Sequence, residues 1–213
     1  MIMKRNETYI YLVMILAANA GLIAGCFCEP LIFTTQGVAA GQWWRILTHP
    51  FVHVSIYHLL LDAAAFFLLY TQLSQQKVIK RTLYVVASGA GSLLAAMVVM
   101  PHLSSTGFCG LSGIDHGLMV ICGLELLTER KNRGIGICIL CVLWLKCIVE
   151  ALSGSVVFDF LHNGMIGSPV AAAHLGGAIG ASIAYLLIMK SLNVRRREDC
   201  EKVPRPVWSG WNA

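Results

Sequence analysis

The sequence predicts an all-α membrane protein of six transmembrane helices, with both termini in the cytoplasm. Three observations carry that prediction: an apolar composition, six apolar stretches of spanning length, and basic residues confined to alternate loops. The chain has 213 residues, 57% hydrophobic and 13% charged, with a mean hydropathy of +0.70. A soluble domain carries about a quarter charged residues. At about 20 residues per span, the length fits a single membrane domain over residues 1–213 and leaves no room for a sizeable domain outside the bilayer.

The apolar stretches run roughly Tyr9–Cys28, Phe51–Tyr70, Leu83–Met100, Leu111–Leu127, Gly134–Leu152 and Pro169–Met189, with a basic cytoplasmic tail at 190–213. Lys4 and Arg5 precede the first stretch, as in a signal peptide. That stretch exceeds a typical signal core, and its small residues Ala17-Ala18-Asn19-Ala20 fall inside it, so it reads as a retained span. Glu29-Pro30 closes the first span and Pro101 the third. Ser168-Pro169 opens the sixth, with serine as N-cap and proline at N1.

Basic residues fall before span one, after spans two and four, and in the tail. That places 14 of the 16 Lys+Arg on one side, the exceptions being Arg45 and the intramembrane Lys146. The positive-inside rule makes that side cytoplasmic. The net charge of +5 is therefore topological and implies no nucleic acid. Cys122, Cys138, Cys141 and Cys147 read as small packing residues within spans. Cys26, Cys28 and Cys109 lie near the outer face, where a disulfide is open. No structural metal and no cofactor is implied.

Chemistry concentrates in Gly110-Leu111-Ser112-Gly113 and in His174, which Gly176 and Gly177 follow. Ionisable groups at membrane depth default to a functional reading. His174 lies five residues after Pro169, roughly 8 Å along its helix at 1.5 Å per residue. Ser112 begins the fourth span on the same side, so the two side chains can meet as nucleophile and general base. Gly113/Gly117 and Gly176/Gly180 are both GxxxG pairs, which permit close helix approach in lipid. Packing on those faces would bring the two residues together.

The loop Trp43-Trp44-Arg45 to His49-Pro50-Phe51-Val52-His53, followed by His58 and Asp62, adds a third element. His58 and Asp62 are four apart on a helix and share a face. Acyl transfer needs donors aimed at the developing oxyanion, and the Ser112 backbone N–H and His58 side chain suit that task. His49 and His53 read as interfacial residues that bond backbone. Lys146 and Glu150, also four apart, read as a mutually neutralising pair. Asp115 is placed to solvate His116. Glu125 and Glu129 are expected to meet the basic inner loop.

Taken together, Trp44-Arg45, the His53/His58 spacing, Gly110-Leu111-Ser112-Gly113 and His174 with its glycines resemble the rhomboid family of intramembrane serine proteases. The resemblance spreads over spans two, four and six and covers nearly the whole chain, implying a six-helix rhomboid-like bundle. It implies Ser112 as nucleophile and His174 as base of a Ser–His dyad that uses no acid. His58, Asp62 and Ser112 would form the oxyanion hole, and His116, His53, Gly110 and Gly113 would support the site. His116, where rhomboids often carry tyrosine, and the Lys146/Glu150 pair are similar to the rhombosortase branch. That branch processes surface proteins bearing a C-terminal Gly-Gly, a hydrophobic helix and a basic cluster.

Asp62 departs from the family pattern, which has asparagine there. Asparagine donates in any state, whereas a carboxylate only accepts. A protonated Asp62 would donate to the oxyanion; an ionised one would oppose it or orient His58.

The sequence thus reads as an endopeptidase of a bacterial cytoplasmic (inner) membrane, its active site toward the periplasmic side. It would cleave single-span membrane proteins near the outer boundary, the substrate entering laterally from the bilayer. Water would reach Ser112 through a polar cavity lined by His49, His53, His58 and Asp62. A rhomboid-fold pseudoprotease that binds helices without cutting them is the alternative. A metal-dependent hydrolase or transporter is the weaker third class, because the chain lacks HExxH.

Overall fold

The computed structural model describes residues 2–26, 29–100, 107–157 and 170–202, with side chains within 6–191 of that set. Nine α-helices are described: α1 Ile2–Ala18, α2 Ala20–Ile23, α3 Thr35–Ala39, α4 Arg45–Thr48, α5 Ile56–Gln72, α6 Val78–Val99, α7 Ser112–Thr128, α8 Arg133–Ser153 and α9 Ala171–Lys202. Short 3-10 turns occupy Glu29–Leu31 and His49–Phe51. Among the described residues there is no strand; one antiparallel bridge joins Phe33 and Phe108.

Three helices are long and apolar enough to cross a membrane: α6, α8 and the Ala171–Ser191 part of α9. Arg45–Phe51 and α5 pass together as a pair bent by 92°. The apolar part of α1, Asn6–Ala18, is shorter, and α7 has 17 residues. Leu60, Leu68, Leu94, Val98, Leu145, Leu152 and Leu186 all point outward and are exposed. Contiguous apolar exposure of this extent suits lipid and not water. The chain is a multi-pass membrane protein.

Two breaks depart from the expected spans. The second stretch is not helical from Phe51: residues 52–55 are extended or bent, and Ser55 caps α5 by accepting from the His58 N–H at 3.0 Å. The first stretch is helical from Ile2 but breaks at Asn19. The fully buried Asn19 donates to the Phe51 carbonyl at 2.6 Å and accepts from the His53 N–H at 2.9 Å. Backbone groups freed in one segment thus find partners in the other. At the far end, α9 runs on to Lys202, so much of the expected tail is helix. The stops and caps assigned to Pro101 and Ser168-Pro169 lie outside the described residues, as does Cys28.

α9 packs on α6 and α7, α8 and α5 both pack on α7, and α1 packs on α5. The glycines act in a different pairing from the expected one. A Cβ on Gly177 would overlap the Gly113 carbonyl, whereas Gly176 and Gly180 face Gly91 and Ala87 of α6. Gly113 and Gly117 face Ser92 and Ser88 of α6 as well as the α9 backbone. α6 is therefore a third member of the contact, and small residues on all three helices set the spacing.

Near the start of α6, Arg81, with no exposed surface, pairs with Glu7 of α1, which also accepts from the Tyr70 hydroxyl. Glu125 does meet a basic loop, the one after α5, through backbone: its carboxylate accepts from the Ser74 N–H at 2.7 Å. Glu129 meets the basic loop after α7, accepting from the Asn132 amide at 2.7 Å.

Candidate functional site

Ser112 opens α7 and His174 lies in the first turn of α9, and the glycine contact between those helices sets how closely they approach. His174 Nε2 lies 3.2 Å from Ser112 Oγ. The other ring nitrogen, Nδ1, lies 2.7 Å from Glu150 Oε2. A carboxylate only accepts, so Nδ1 carries the proton and Nε2 is left with its lone pair toward the serine.

His116, one turn after Ser112, stacks on His174 with ring centroids 4.0 Å apart and planes 7° from parallel. Its Nδ1–H donates to the Ser112 carbonyl at 2.7 Å, and its Nε2 accepts from Lys146 Nζ at 2.9 Å. Lys146 and Glu150 are 2.7 Å apart, the expected pair. What spacing could not tell is where that pair points. Asp115 does not solvate His116; it is buried, and its Oδ1 has no hydrogen-bond partner among the described residues.

A second cluster lies on the other side of Ser112. Asp62 Oδ2 accepts from the Leu111 N–H at 2.9 Å and the Ser112 N–H at 3.1 Å. The same oxygen lies 3.2 Å from His58 Nε2 and 3.3 Å from His53 Nε2. His58, Asp62 and Ser112 are thus brought together, with His53 beside them, and Asp62 acts here as an acceptor. A carboxylate also suits the unpaired amides at the N-terminus of α7.

Gly110 has φ +110°, a conformation open to glycine. A Cβ there would press on the His58 ring at 3.0 Å. Its N–H donates to the His49 carbonyl at 3.1 Å, tying the serine's turn to the segment that precedes α5.

That segment is organised by Arg45, which donates to the carbonyls of Glu29 at 2.9 Å and Ile32 at 2.6 Å. His49 bonds backbone as expected, with Nδ1 3.0 Å from the Ile46 carbonyl. It packs between Phe33 and Phe108. His53, His58 and Asp62 are buried on one another, at 0%, 8% and 5% exposure, so they form a packed cluster. Cys26 and Cys109 are free thiols. Burial, reinforced by the nearby Asp62 charge, pushes the Cys109 thiol up to about 12.

His49, His53 and His58 do not converge as metal ligands. Among the described residues the group that could hold an ion is His116, Glu150 and His174, whose donor atoms lie within 4.8 Å of one another. The Lys146 ammonium already bonds His116 and Glu150 there, so a metal would have to displace it. An apolar groove of about 700 Å³ opens elsewhere, between α1, His49–Phe51 and α6, and neither Ser112 nor His174 lines it.

Sequence reasoning missed the Glu150–His174 contact, the Lys146–His116 contact and Asn19. The signal for the first two was on the page: Lys146 and Glu150 are intramembrane charges, and such charges default to function.

Comparison with known proteins identifies the family. The rhomboid domain model matches residues 40–191. The rhomboid protease GluP of Bacillus subtilis (strain 168) is 29% identical over 168 residues, covering 74% of this chain and 32% of that protein. The chain thus spans about a third of that relative's length. YdcA of the same organism, which carries a provisional rhomboid-protease name, is 27% identical over 161 residues, covering 72% of each chain. With the family model matched over most of its length, the chain belongs to the rhomboid family.

Proposed function

We infer that the chain is an intramembrane serine endopeptidase that cuts single-span membrane proteins near the outer boundary of the bilayer. The observation that carries this reading is the 3.2 Å approach of His174 Nε2 to Ser112 Oγ, with Nδ1 already committed to a carboxylate. A hydroxyl is a weak nucleophile until a base takes its proton. Ser112 Oγ attacks the scissile carbonyl as His174 Nε2 takes that proton. The C–N bond then breaks, and the proton passes to the leaving amine. Water hydrolyses the acyl-serine with His174 again as base. Family membership and the relatives named as proteases support the same reading.

The Ser112 N–H and His58 are the donors best placed for the oxyanion. Asp62 holds both in the resting arrangement, so the substrate carbonyl must displace its oxygen or share its donors. The confinement of 14 of the 16 Lys+Arg to alternate loops supports six spans with cytoplasmic termini and a site toward the periplasmic side of a bacterial inner membrane. The likeness of His116 and the Lys146/Glu150 pair to the rhombosortase branch extends the proposal to substrates with a C-terminal Gly-Gly, a helix and a basic cluster. Two glycines would make unwinding of the substrate helix cheap.

The test is co-expression with a Gly-Gly–helix–basic-tail reporter. Cleavage by the wild type and none by Ser112→Ala is expected; equal cleavage by both overturns the protease reading. The Asp62 carboxylate across the Ser112 amide favours a second reading, a pseudoprotease that binds membrane helices without cutting. A fluorophosphonate separates the two, because it labels Ser112 only if His174 activates it.

A further inference from the structure

The geometry points to Glu150 as a positioning residue that turns the Ser112–His174 pair into a Ser–His–Glu triad, locked by Lys146 and His116. This rests on the protease reading above. Glu150 is fully buried, and each of its oxygens has a distinct set of donors. Oε2 takes the His174 Nδ1–H at 2.7 Å. Oε1 takes Lys146 Nζ at 2.7 Å and the Val157 N–H at 2.9 Å. The donor set on Oε1 fixes the rotation of the carboxylate, and the carboxylate fixes the imidazole.

The network closes on itself. Lys146 spans Glu150 Oε1 and His116 Nε2, and His116 Nδ1–H returns to the Ser112 carbonyl. Each ring N–H along this path has one acceptor, and the ring nitrogen left without a proton facing the serine is His174 Nε2. The stacked His116 ring limits tilting of His174. During acylation the Ser112 proton moves to Nε2, and Nδ1–H stays with its own ring, its bond to the carboxylate strengthening as the imidazolium forms. No proton passes to Glu150, as in other triads whose acid orients the histidine and stabilises its charge.

The arrangement makes Glu150→Gln more than a loss of charge. Glutamine has one acceptor and one NH2 group. Two donors, Lys146 and Val157, crowd the Oε1 side, so the amide oxygen settles there and the NH2 faces His174 Nδ1. That nitrogen must then accept, which moves the ring proton to Nε2 and removes the base.

The experiment compares purified wild type with Glu150→Gln, with the volume-matched pair Lys146→Met/Glu150→Met, and with Ser112→Ala. The Met pair keeps the test open should the glutamine variant not fold, since buried ion pairs often yield to apolar residues without loss of stability. Expected is a fall in kcat of about 100-fold or more, with KM within about threefold. In ¹⁵N-histidine NMR spectra, the His174 signal, assigned by its loss in His174→Ala, should move the proton from Nδ1 to Nε2 in Glu150→Gln. A purely structural role would leave that tautomer unchanged. Wild-type kcat in either folded variant, or an unmoved tautomer, overturns the triad. Cleavage that survives Ser112→Ala overturns instead the protease reading beneath it.

Discussion

Asp62 Oδ2 lies 3.1 Å from the backbone nitrogen of Ser112, on the amide that the proposed mechanism turns toward the oxyanion. The carboxylate belongs to α5, 50 residues away in sequence, and takes the Leu111 N–H as well. One side chain therefore caps the helix that Ser112 opens and covers the donors that the proposed reaction needs.

Replacing Asp62 with asparagine keeps an acceptor for the α7 amides and adds a donor on the same group. Asp62→Asn is expected to retain wild-type kcat or raise it, by up to about the 100-fold that one oxyanion donor is worth. Reporter cleavage with purified protein checks this. Complete loss in a folded variant would show that the carboxylate itself is required.

The close approach of α7 and α9 depends on a missing side chain. Gly177→Val would drive a methyl-bearing carbon into the Gly113 carbonyl, three residues along α9 from His174. Such overpacking costs about 1–3 kcal/mol and should also part the base from Ser112. Fluorophosphonate labelling should fall at least about tenfold, a loss of about 1.4 kcal/mol or more in transition-state terms. Gly134→Ala, where a Cβ meets open space, should change stability by no more than about 1 kcal/mol. Equal labelling of both variants would refute the contact.

Arg81 is a charge without surface, and removing its partner strands it. Glu7→Leu is expected to lose about 3–5 kcal/mol, with Glu7→Leu/Arg81→Leu recovering most of it. Thermal unfolding in detergent gives the comparison. A single variant as stable as the wild type would mean that the pair contributes nothing.

Topology can be read from a thiol. Cys26 is exposed beyond the end of α2, on the side opposite the basic loops. In a variant with Cys26 as its sole cysteine, a membrane-impermeant maleimide should label intact cells. The corresponding Cys109-only variant should react slowly, its thiol held protonated by burial. Labelling of Cys26 only after lysis would invert the orientation.

Much of the site was legible because it sits at helix starts marked by glycine. Ser112 and His174 stood out as polar groups in apolar runs, and their depths matched. The Lys146/Glu150 pair was legible as a pair, because i,i+4 spacing puts both on one face. Its direction was not, since spacing within one helix carries no information about rotation against α7 and α9. Asp62 was legible as a departure from the family pattern, yet its role as a cap for α7 needed the fold. The break at residues 52–55 escaped notice because Val52 and Val54 continue the apolar run, while its hydrogen bonds come from Asn19, far away in sequence.

That asparagine has a consequence for how the protein is made. Open backbone is tolerated at membrane depth only where protein, not lipid, satisfies it. The amide of His53 and the carbonyl of Phe51 depend on a side chain in a segment that emerges from the ribosome first. The dependence has a direction: the Phe51 carbonyl and the His53 amide gain these partners only once their segment has docked against α1. That helix lies outside the stretch matched to the family, residues 40–191, yet it satisfies two backbone groups inside that stretch.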